Sequence, residues 1–219
     1  FMKILTGAFV ALAREYRRYP LFVLPQGLIS AVFWNGMPLL LLRYADAVWA
    51  GYYWVAYRVF MAPIALFNAS YRQSMLGTMS AQPYADARGR ARRHTYGLLA
   101  CMAIVVVAMQ FAGAAIFGFA LGEEWRDAGR LAGGLVLVVA GDVVKVPALC
   151  LCQSRSRLSV VLVWEGAIAV AAYAAALPAL SAGNVMMGIG AFSLAGFLGW
   201  SAFAVYVLFG PAVDQADRS

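Results

Sequence analysis

The sequence predicts an all-α fold, a polytopic membrane protein with a bundle of six transmembrane helices. Hydrophobic residues make up 63% of the chain and charged residues only 12%, whereas a soluble domain has about half and about a quarter. The apolar residues also fall into six runs of roughly 20–25 residues, which is the length that an α-helix needs to cross a bilayer. We expect residues 20–210 to form the bundle.

Short polar segments flank the predicted bundle. Residues 1–19 are too short and too charged to span a membrane, but their apolar residues recur at helical spacing between basic ones. This pattern predicts a cytoplasmic amphipathic linker on the membrane surface, with an irregular linker as the alternative. Residues 211–219 form a polar tail. Because the chain opens with Phe-Met, we expect a fragment of a longer protein.

Each predicted span has its own sequence features. Prolines in the first span predict kinks, and a cluster of Trp and Tyr residues at the start of the second is typical of the membrane interface. The third is nearly pure hydrocarbon, and a basic polar loop, residues 71–95, precedes it. The six predicted spans are A, Leu21–Leu42; B, Ala47–Asn68; C, Gly97–Leu121; D, Gly129–Leu151; E, Leu158–Leu177; and F, Val185–Phe209.

Small residues recur at every fourth position in the last two spans. Such stripes let helices approach closely in lipid, so we interpret them as packing faces rather than as sites of chemistry. The stripes are Ala167, Ala171 and Ala175 in span E, and Ala191, Ala195 and Gly199 in span F.

The distribution of Lys and Arg predicts the orientation. With the N-terminus inside, twelve of the 17 basic residues fall in inner segments, three fall in outer loops and two lie within spans. Since cytoplasmic loops are enriched in Lys and Arg, both termini should be cytoplasmic. The net charge of +7 then reflects these loops, and no nucleic-acid partner is expected.

Four ionisable residues lie within predicted spans, where charge is costly and marks candidate functional sites. Arg58 lies in span B, Asp142 and Lys145 lie in span D, and Glu165 lies in span E. At about 1.5 Å per residue, Lys145 matches Glu165 in depth and Arg58 matches Asp142. Asp142 and Lys145 are also three residues apart, so they could pair on one helix face.

Two interpretations of these charges remain open. In the first, they neutralise one another and hold helices together. In the second, the cations Arg58 and Lys145 line a water-filled cavity and bind an anionic head group, while Asp142 and Glu165 tune them or carry a coupling ion. Arg58 suits a phosphate especially well, because its planar guanidinium binds two oxygens and stays charged.

Motifs for other kinds of chemistry are missing from the sequence. There is no nucleophile elbow, no metal-spaced His/Glu pair and no phosphate-binding glycine loop. Cys101, Cys150 and Cys152 lie in apolar spans, where small buried hydrophobic side chains are the simplest interpretation. We therefore expect neither an enzyme nor a metal site, and no cofactor.

The order of several motifs resembles the C-terminal half of bacterial polysaccharide and oligosaccharide flippases, which belong to the superfamily of multidrug, oligosaccharidyl-lipid and polysaccharide exporters. The resemblance covers essentially the whole chain. A Gly-Glu-Glu-Trp-Arg-x-Ala-Gly loop before span D is its most specific part, followed by the Tyr-Arg-x-Tyr-Pro start of span A. The matching stretches are Tyr16–Ser30, Ala50–Leu66 with the SYRQSML that follows it, and Leu121–Ala132.

The resemblance implies one lobe of a twelve-helix, two-lobed transporter in the bacterial inner membrane. Its substrate would be an oligosaccharide on a polyprenyl pyrophosphate, flipped to the outer leaflet by alternating access for the biosynthesis of lipopolysaccharide O-antigen, capsule or exopolysaccharide. The implied partners are the missing N-terminal six-helix lobe, membrane lipids, and polysaccharide polymerase and export proteins. The resemblance does not map the cavity cations one by one.

Alternative functions predict different arrangements of the four ionisable residues within the spans. A multidrug or cation exporter of the same superfamily would favour a cavity dominated by acids. A non-transporting membrane scaffold subunit of polysaccharide assembly would pair all four charges internally and open no cavity.

Overall fold

The computed structural model describes residues 18–210, with side chains from residue 22 onward. Within this part the chain is helical throughout and has no strand. The predicted linker, apart from its last two residues, and the predicted tail lie outside the described residues. The helices are α1, Arg18–Tyr44; α2, Ala47–Ala81; α3, Tyr84–Leu121; a 3-10 helix, Glu123–Trp125; α4, Arg126–Val144; α5, Val146–Ser154; α6, Leu158–Ser181; and α7, Val185–Phe209.

Among the described residues, five helical segments are long and apolar enough to cross a membrane, so the chain is a multi-pass membrane protein. These segments are Phe22–Tyr44, Tyr84–Leu121, Glu123–Ser154, Leu158–Ser181 and Val185–Phe209. Helix α2, which contains predicted span B, is not among them. Its cluster of Trp and Tyr residues, together with Arg58, lowers its mean hydropathy, although α2 is long enough to cross a bilayer.

Helix α4 is the centre of the bundle. It packs against α2, α3 and α7, while α6 packs against α1 and α7 on the far side. In the most apolar stretch of the segment Glu123–Ser154, 94% of the residues are buried. Close packing depends on glycine, because a Cβ at Gly129 would collide with the Gly113 carbonyl of α3. Small residues thus let α3 and α4 meet backbone to backbone.

The predicted polar loop at residues 71–95 is wrong, because almost all of it is helical. Helix α2 continues to Ala81 and α3 starts at Tyr84, so only a short elbow at Gln82 and Pro83 separates two long helices. Arginine and alanine favour helix, so the charges that end a membrane-spanning segment need not end the helix. Pro83 fits the elbow because it precedes the first turn of α3, where a missing N–H costs nothing.

Arginines close the end of the bundle at this elbow, which we term the basic end; Arg88, Arg92 and Arg155 define it. Arg88 and Arg92 both donate from Nε to the Leu208 carbonyl at the end of α7, at 2.8 and 2.7 Å. Arg155 donates to the Gln82 carbonyl at 2.7 Å. Guanidinium groups here satisfy carbonyls that helix ends leave free.

Predicted span D is divided into two helices. Helix α4 ends at Val144 and α5 begins at Val146, with Lys145 between them. Pro147 occupies the first turn of α5, and it cannot donate the backbone hydrogen bond that would continue α4. The interruption therefore falls at the buried ionisable residues.

The predicted small-residue stripes are wrong by one position in α6. Ala167, Ala171 and Ala175 are exposed, whereas the neighbouring Ala172 and Ala176 are buried. The prediction is better in α7, where a Cβ at Gly199 would come within 2.6 Å of Ile168. Spacing of four residues identified the kind of contact, but it did not fix which side of the helix is packed.

Candidate functional site

Three of the four predicted intramembrane charges meet at the break between α4 and α5. The Lys145 ammonium lies 2.9 Å from an Asp142 carboxylate oxygen and 3.5 Å from one of Glu165. All three residues are buried, with between 6% and 8% of their surface exposed. The predicted depth match of Lys145 with Glu165 is therefore confirmed, as is the pairing of Asp142 with Lys145 three residues along the chain.

An aromatic ring completes this buried charge cluster, which comprises Asp142, Lys145, Glu165 and Trp200. The Lys145 ammonium lies 3.3 Å from the centroid of the Trp200 ring on α7, within the range of a cation–π interaction. Gly141 makes this approach possible, since a Cβ there would lie 3.1 Å from Trp200 Cδ1. A glycine one residue before Asp142 thus brings α7 over the ammonium.

The cluster is not fully satisfied by protein groups. The second Glu165 oxygen, Oε2, and the Trp200 indole nitrogen are buried, and neither has a hydrogen-bond partner among the described residues. Most buried polar atoms in proteins are paired, so these two atoms mark a place where polar groups are in excess. Both carboxylates share one ammonium, which leaves a surplus of acceptors beside it.

A cavity of about 330 Å³ opens beside the cluster, between α1, α2, α4–α5 and α6. Helix α1 contributes one face to it, with Gln26, Ser30 and Trp34 at successive turns. Asn68 lines it from α2, and its side-chain oxygen is buried without a partner among the described residues. The full set is Val23, Gln26, Gly27, Ser30, Trp34, Asn68, Arg72, Asp142, Lys145, Val146, Leu149, Gln153 and Glu165.

Arg72 is the cavity cation that sequence reasoning missed. It lies on the stretch that was predicted to be a loop, yet it lines the cavity from α2. Its guanidinium donates to the Gln153 side-chain oxygen at 3.0 Å. Because Gln153 is neutral, this contact orients the guanidinium without compensating its charge. Helical periodicity was the available signal: Met75 and Met79, like Ala87 and Ala91, are one turn apart.

Arg58 does not join the cluster. Its side chain is exposed and lies 5.8 Å from the Trp54 ring, and it forms no ion pair within the part of the chain that the structure describes. The predicted pairing of Arg58 with Asp142 is therefore wrong. Depth along the membrane did not fix the direction of the side chain, since the buried residues of α2 nearest to it, Ala56 and Phe60, lie on the opposite face.

The contacts of the two cavity cations, Arg72 and Lys145, determine which of them can bind an anion. Within the cavity, the formal charges of Arg72 and Lys145 balance those of Asp142 and Glu165. Lys145 is held by both carboxylates, so an anion must displace them to reach it. Arg72 has guanidinium donors beyond its bond to Gln153. No group of three or more His, Cys, Asp or Glu side chains that could hold a metal occurs among the described residues.

Comparisons with protein-family models, with curated proteins and with solved structures found no match for the chain. The resemblance to flippases therefore rests on the motifs quoted above.

Proposed function

We propose that the chain is one six-helix lobe of a transporter that flips a polyprenyl-pyrophosphate-linked oligosaccharide across the bacterial inner membrane. Helix α2 would be the sixth spanning helix, a second lobe would complete the transporter, and the basic end with both termini would face the cytoplasm. The observation that carries the proposal is the polar cavity within the helical bundle, where the guanidinium of Arg72 forms no ion pair with any described residue and lies in the same cavity as the buried charge cluster.

The chemistry of the substrate explains why such a cavity is needed. A pyrophosphate head group carries negative charge that hydrocarbon does not solvate, and a guanidinium replaces the lost water with charge-assisted hydrogen bonds. Arg58 and Arg72 are both on α2, fourteen positions apart, or about 21 Å along a helix. Arg72 lines the cavity, whereas Arg58 is exposed and does not line it.

The buried charge cluster has a different role in this mechanism. Asp142 and Glu165 neutralise Lys145 while the cavity holds no anion. An entering phosphate competes for the ammonium, and the carboxylate that is released becomes free to take a coupling ion. Arg72 therefore makes the first contact with the head group, and Lys145 links its arrival to a rearrangement between α4, α5 and α6. Alternating access would follow from rocking of the two lobes.

Binding of a simple polyprenyl pyrophosphate tests the proposal. The purified full chain in detergent should bind farnesyl pyrophosphate and not farnesol, as measured by calorimetry. Arg72→Gln should weaken this binding about tenfold or more, since a hydrogen bond to a charged group contributes about 1.5–3 kcal/mol. Arg130→Gln is the matched control, because Arg130 is exposed and pairs with Asp127 outside the cavity.

The alternatives give other results in the same experiment. The surplus of acceptors around Lys145 is the observation that favours a cation exporter, which would bind tetraphenylphosphonium and lose it in Glu165→Gln. A scaffold subunit would bind neither probe. Equal affinity of the Arg72→Gln and Arg130→Gln variants for farnesyl pyrophosphate would contradict the proposed site.

Water access to the cavity can be tested separately with two serines. Ser30 lines the cavity, whereas Ser193 is fully buried outside it. After replacement of the three native cysteines by serine, Ser30→Cys should react in membrane vesicles with a small charged thiol reagent, and Ser193→Cys should not. Equal protection of both positions would show a dry site and contradict the transport mechanism.

A further inference from the structure

A second cavity lies on the outside of the bundle, between α2 and α3. The two helices join at the elbow but contact each other little above it, since each packs instead on α4 and α5. A groove of about 500 Å³ results. Its walls are Phe67, Tyr71, Ser74 and Met75 from α2, and Arg93, His94, Gly97 and Leu98 from α3.

The character of the groove changes along its length. The polar wall residues Ser74, Arg93 and His94 lie nearer the elbow on their helices than Phe67 and Leu98 do. The uninterrupted apolar run of α3 starts at Gly97, so the membrane boundary at the basic end falls within the groove. The groove thus has a cationic end in the interface and an apolar end in hydrocarbon.

The donors at the cationic end are free to bind a ligand. Arg88, Arg90 and Arg92 are engaged with backbone or side-chain oxygens of α7 and the elbow. Arg93 is exposed and makes neither an ion pair nor a hydrogen bond with any described residue. The Tyr71 hydroxyl, whose ring lies 5.7 Å from the His94 ring, is buried and has no partner in the described part of the chain.

We propose that this groove binds an anionic phospholipid of the bilayer, with its phosphate at Arg93, His94 and Tyr71 and an acyl chain along Phe67 and Leu98. Basic pockets between membrane helices at the interface recognise such head groups. A soluble phosphate would leave most of the apolar wall uncovered, and an uncharged lipid would leave Arg93 without a counter-ion. Only a ligand with a phosphate and a long apolar chain complements both ends.

Photo-crosslinking of the full chain in lipid nanodiscs tests this site. The discs contain phosphatidylcholine with a small fraction of phosphatidylglycerol carrying a photoactivatable acyl chain, and cross-linked peptides are identified by mass spectrometry. Labelling should concentrate between residues 67 and 98. Arg93→Gln should reduce it about tenfold or more, as expected for one lost hydrogen bond to a charged group.

Two matched controls separate a site from general attraction. Arg90→Gln removes the same charge from the same helix, one turn from Arg93, and should leave labelling unchanged. Gly97→Leu should block the groove, since a Cβ at Gly97 meets nothing within 4 Å and the side chain projects into the open space. Gly89→Leu adds the same side chain to α3 outside the groove and should have no effect.

Three results would overturn the proposal. If Arg90→Gln and Arg93→Gln reduce labelling equally, the lipid is attracted non-specifically. If photoactivatable phosphatidylcholine labels the groove as strongly as phosphatidylglycerol does, the groove does not recognise the net charge of the phospholipid. Displacement of the label by farnesyl pyrophosphate but not by unlabelled phosphatidylglycerol would assign the groove to a polyprenyl ligand. None of these results bears on Arg72, so the groove and the cavity can fail independently.

Discussion

Helices α3 and α4 are both strongly apolar, with nearly equal mean hydropathy, yet they occupy opposite environments. In the most apolar stretch of α3 only 11% of the residues are buried, against 94% in the segment that contains α4. Helix α3 exposes large side chains such as Phe111 and Phe119. Helix α4 contains glycines and the buried Asp142, and the buried Lys145 follows its last residue. In a membrane, therefore, apolarity indicates that a helix is in the bilayer, while small and ionisable residues indicate that it faces protein.

Removing the charge of Lys145, which lies between α4 and α5, should have the largest effect on stability. Lys145→Met leaves Asp142 and Glu165 buried without a counter-ion, and breaking such a pair costs about 3–5 kcal/mol. We expect a loss of that size in the free energy of unfolding, measured by denaturant titration in detergent. Methionine is an unbranched side chain of similar length, so lost packing contributes little.

A triple variant provides the control for this prediction. When Asp142→Asn and Glu165→Gln accompany Lys145→Met, no uncompensated charge remains, and most of the stability should return. If the triple variant is as unstable as Lys145→Met, the cluster contributes through packing rather than through charge.

Replacing a glycine by leucine should destabilise α4 much more than α3, with a difference in stability almost as large as that expected for Lys145→Met. A side chain at Gly129 collides with the α3 backbone, whereas one at Gly97 meets open space. Gly129→Leu should therefore destabilise the protein by about 3 kcal/mol or more, and Gly97→Leu should be neutral or slightly stabilising because leucine favours helix. Thermal unfolding of the two purified variants compares them directly. Equal melting temperatures would contradict the backbone contact between α3 and α4.

Truncating an apolar side chain to alanine should give the smallest difference in stability between α4 and α3. Leu135 of α4 is fully buried, while 72% of Ile104 of α3 is exposed. Leu135→Ala should cost about 2 kcal/mol through lost packing. Ile104→Ala should change stability by less than about 0.5 kcal/mol, because lipid chains solvate either side chain. A similar cost at both positions, in the same denaturant titration, would mean that α3 packs against protein.

The sequence predicted the helical class and most of the spans well, because length and apolarity follow directly from the bilayer. Span F matches α7 from Val185 to Phe209, and Lys145 pairs with Glu165, a residue that it matches in depth. Errors arose where direction around a helix mattered. Arg58 has the right depth for Asp142 but faces away from it, and Ala171 is one residue from the packed Ala172.

Charge also misled the prediction at the basic end. Residues 71–95 contain five arginines and the single histidine, a composition that suggests a solvated loop, so Arg72 was assigned to that loop and not to a site. The buried Met79, Ala87 and Ala91 show that helices continue there. Composition indicates how polar a segment is. The cavity depends on which turns of α1, α2 and α5 pack together, and this packing cannot be predicted from a single sequence.

The ion pair of Asp142 with Lys145 also affects how the protein enters the membrane. Each charge alone raises the free energy of helix insertion by about 2.5–3.5 kcal/mol at the bilayer centre. Because the two residues are three positions apart on one segment, they can neutralise each other before α6 and Glu165 have been synthesised. Asp142→Ala should accordingly lower the insertion efficiency of the isolated segment in a translocon assay more than the double change Asp142→Ala/Lys145→Ala does. The two charges of this segment thus reach the lipid as an electrically neutral pair during biosynthesis.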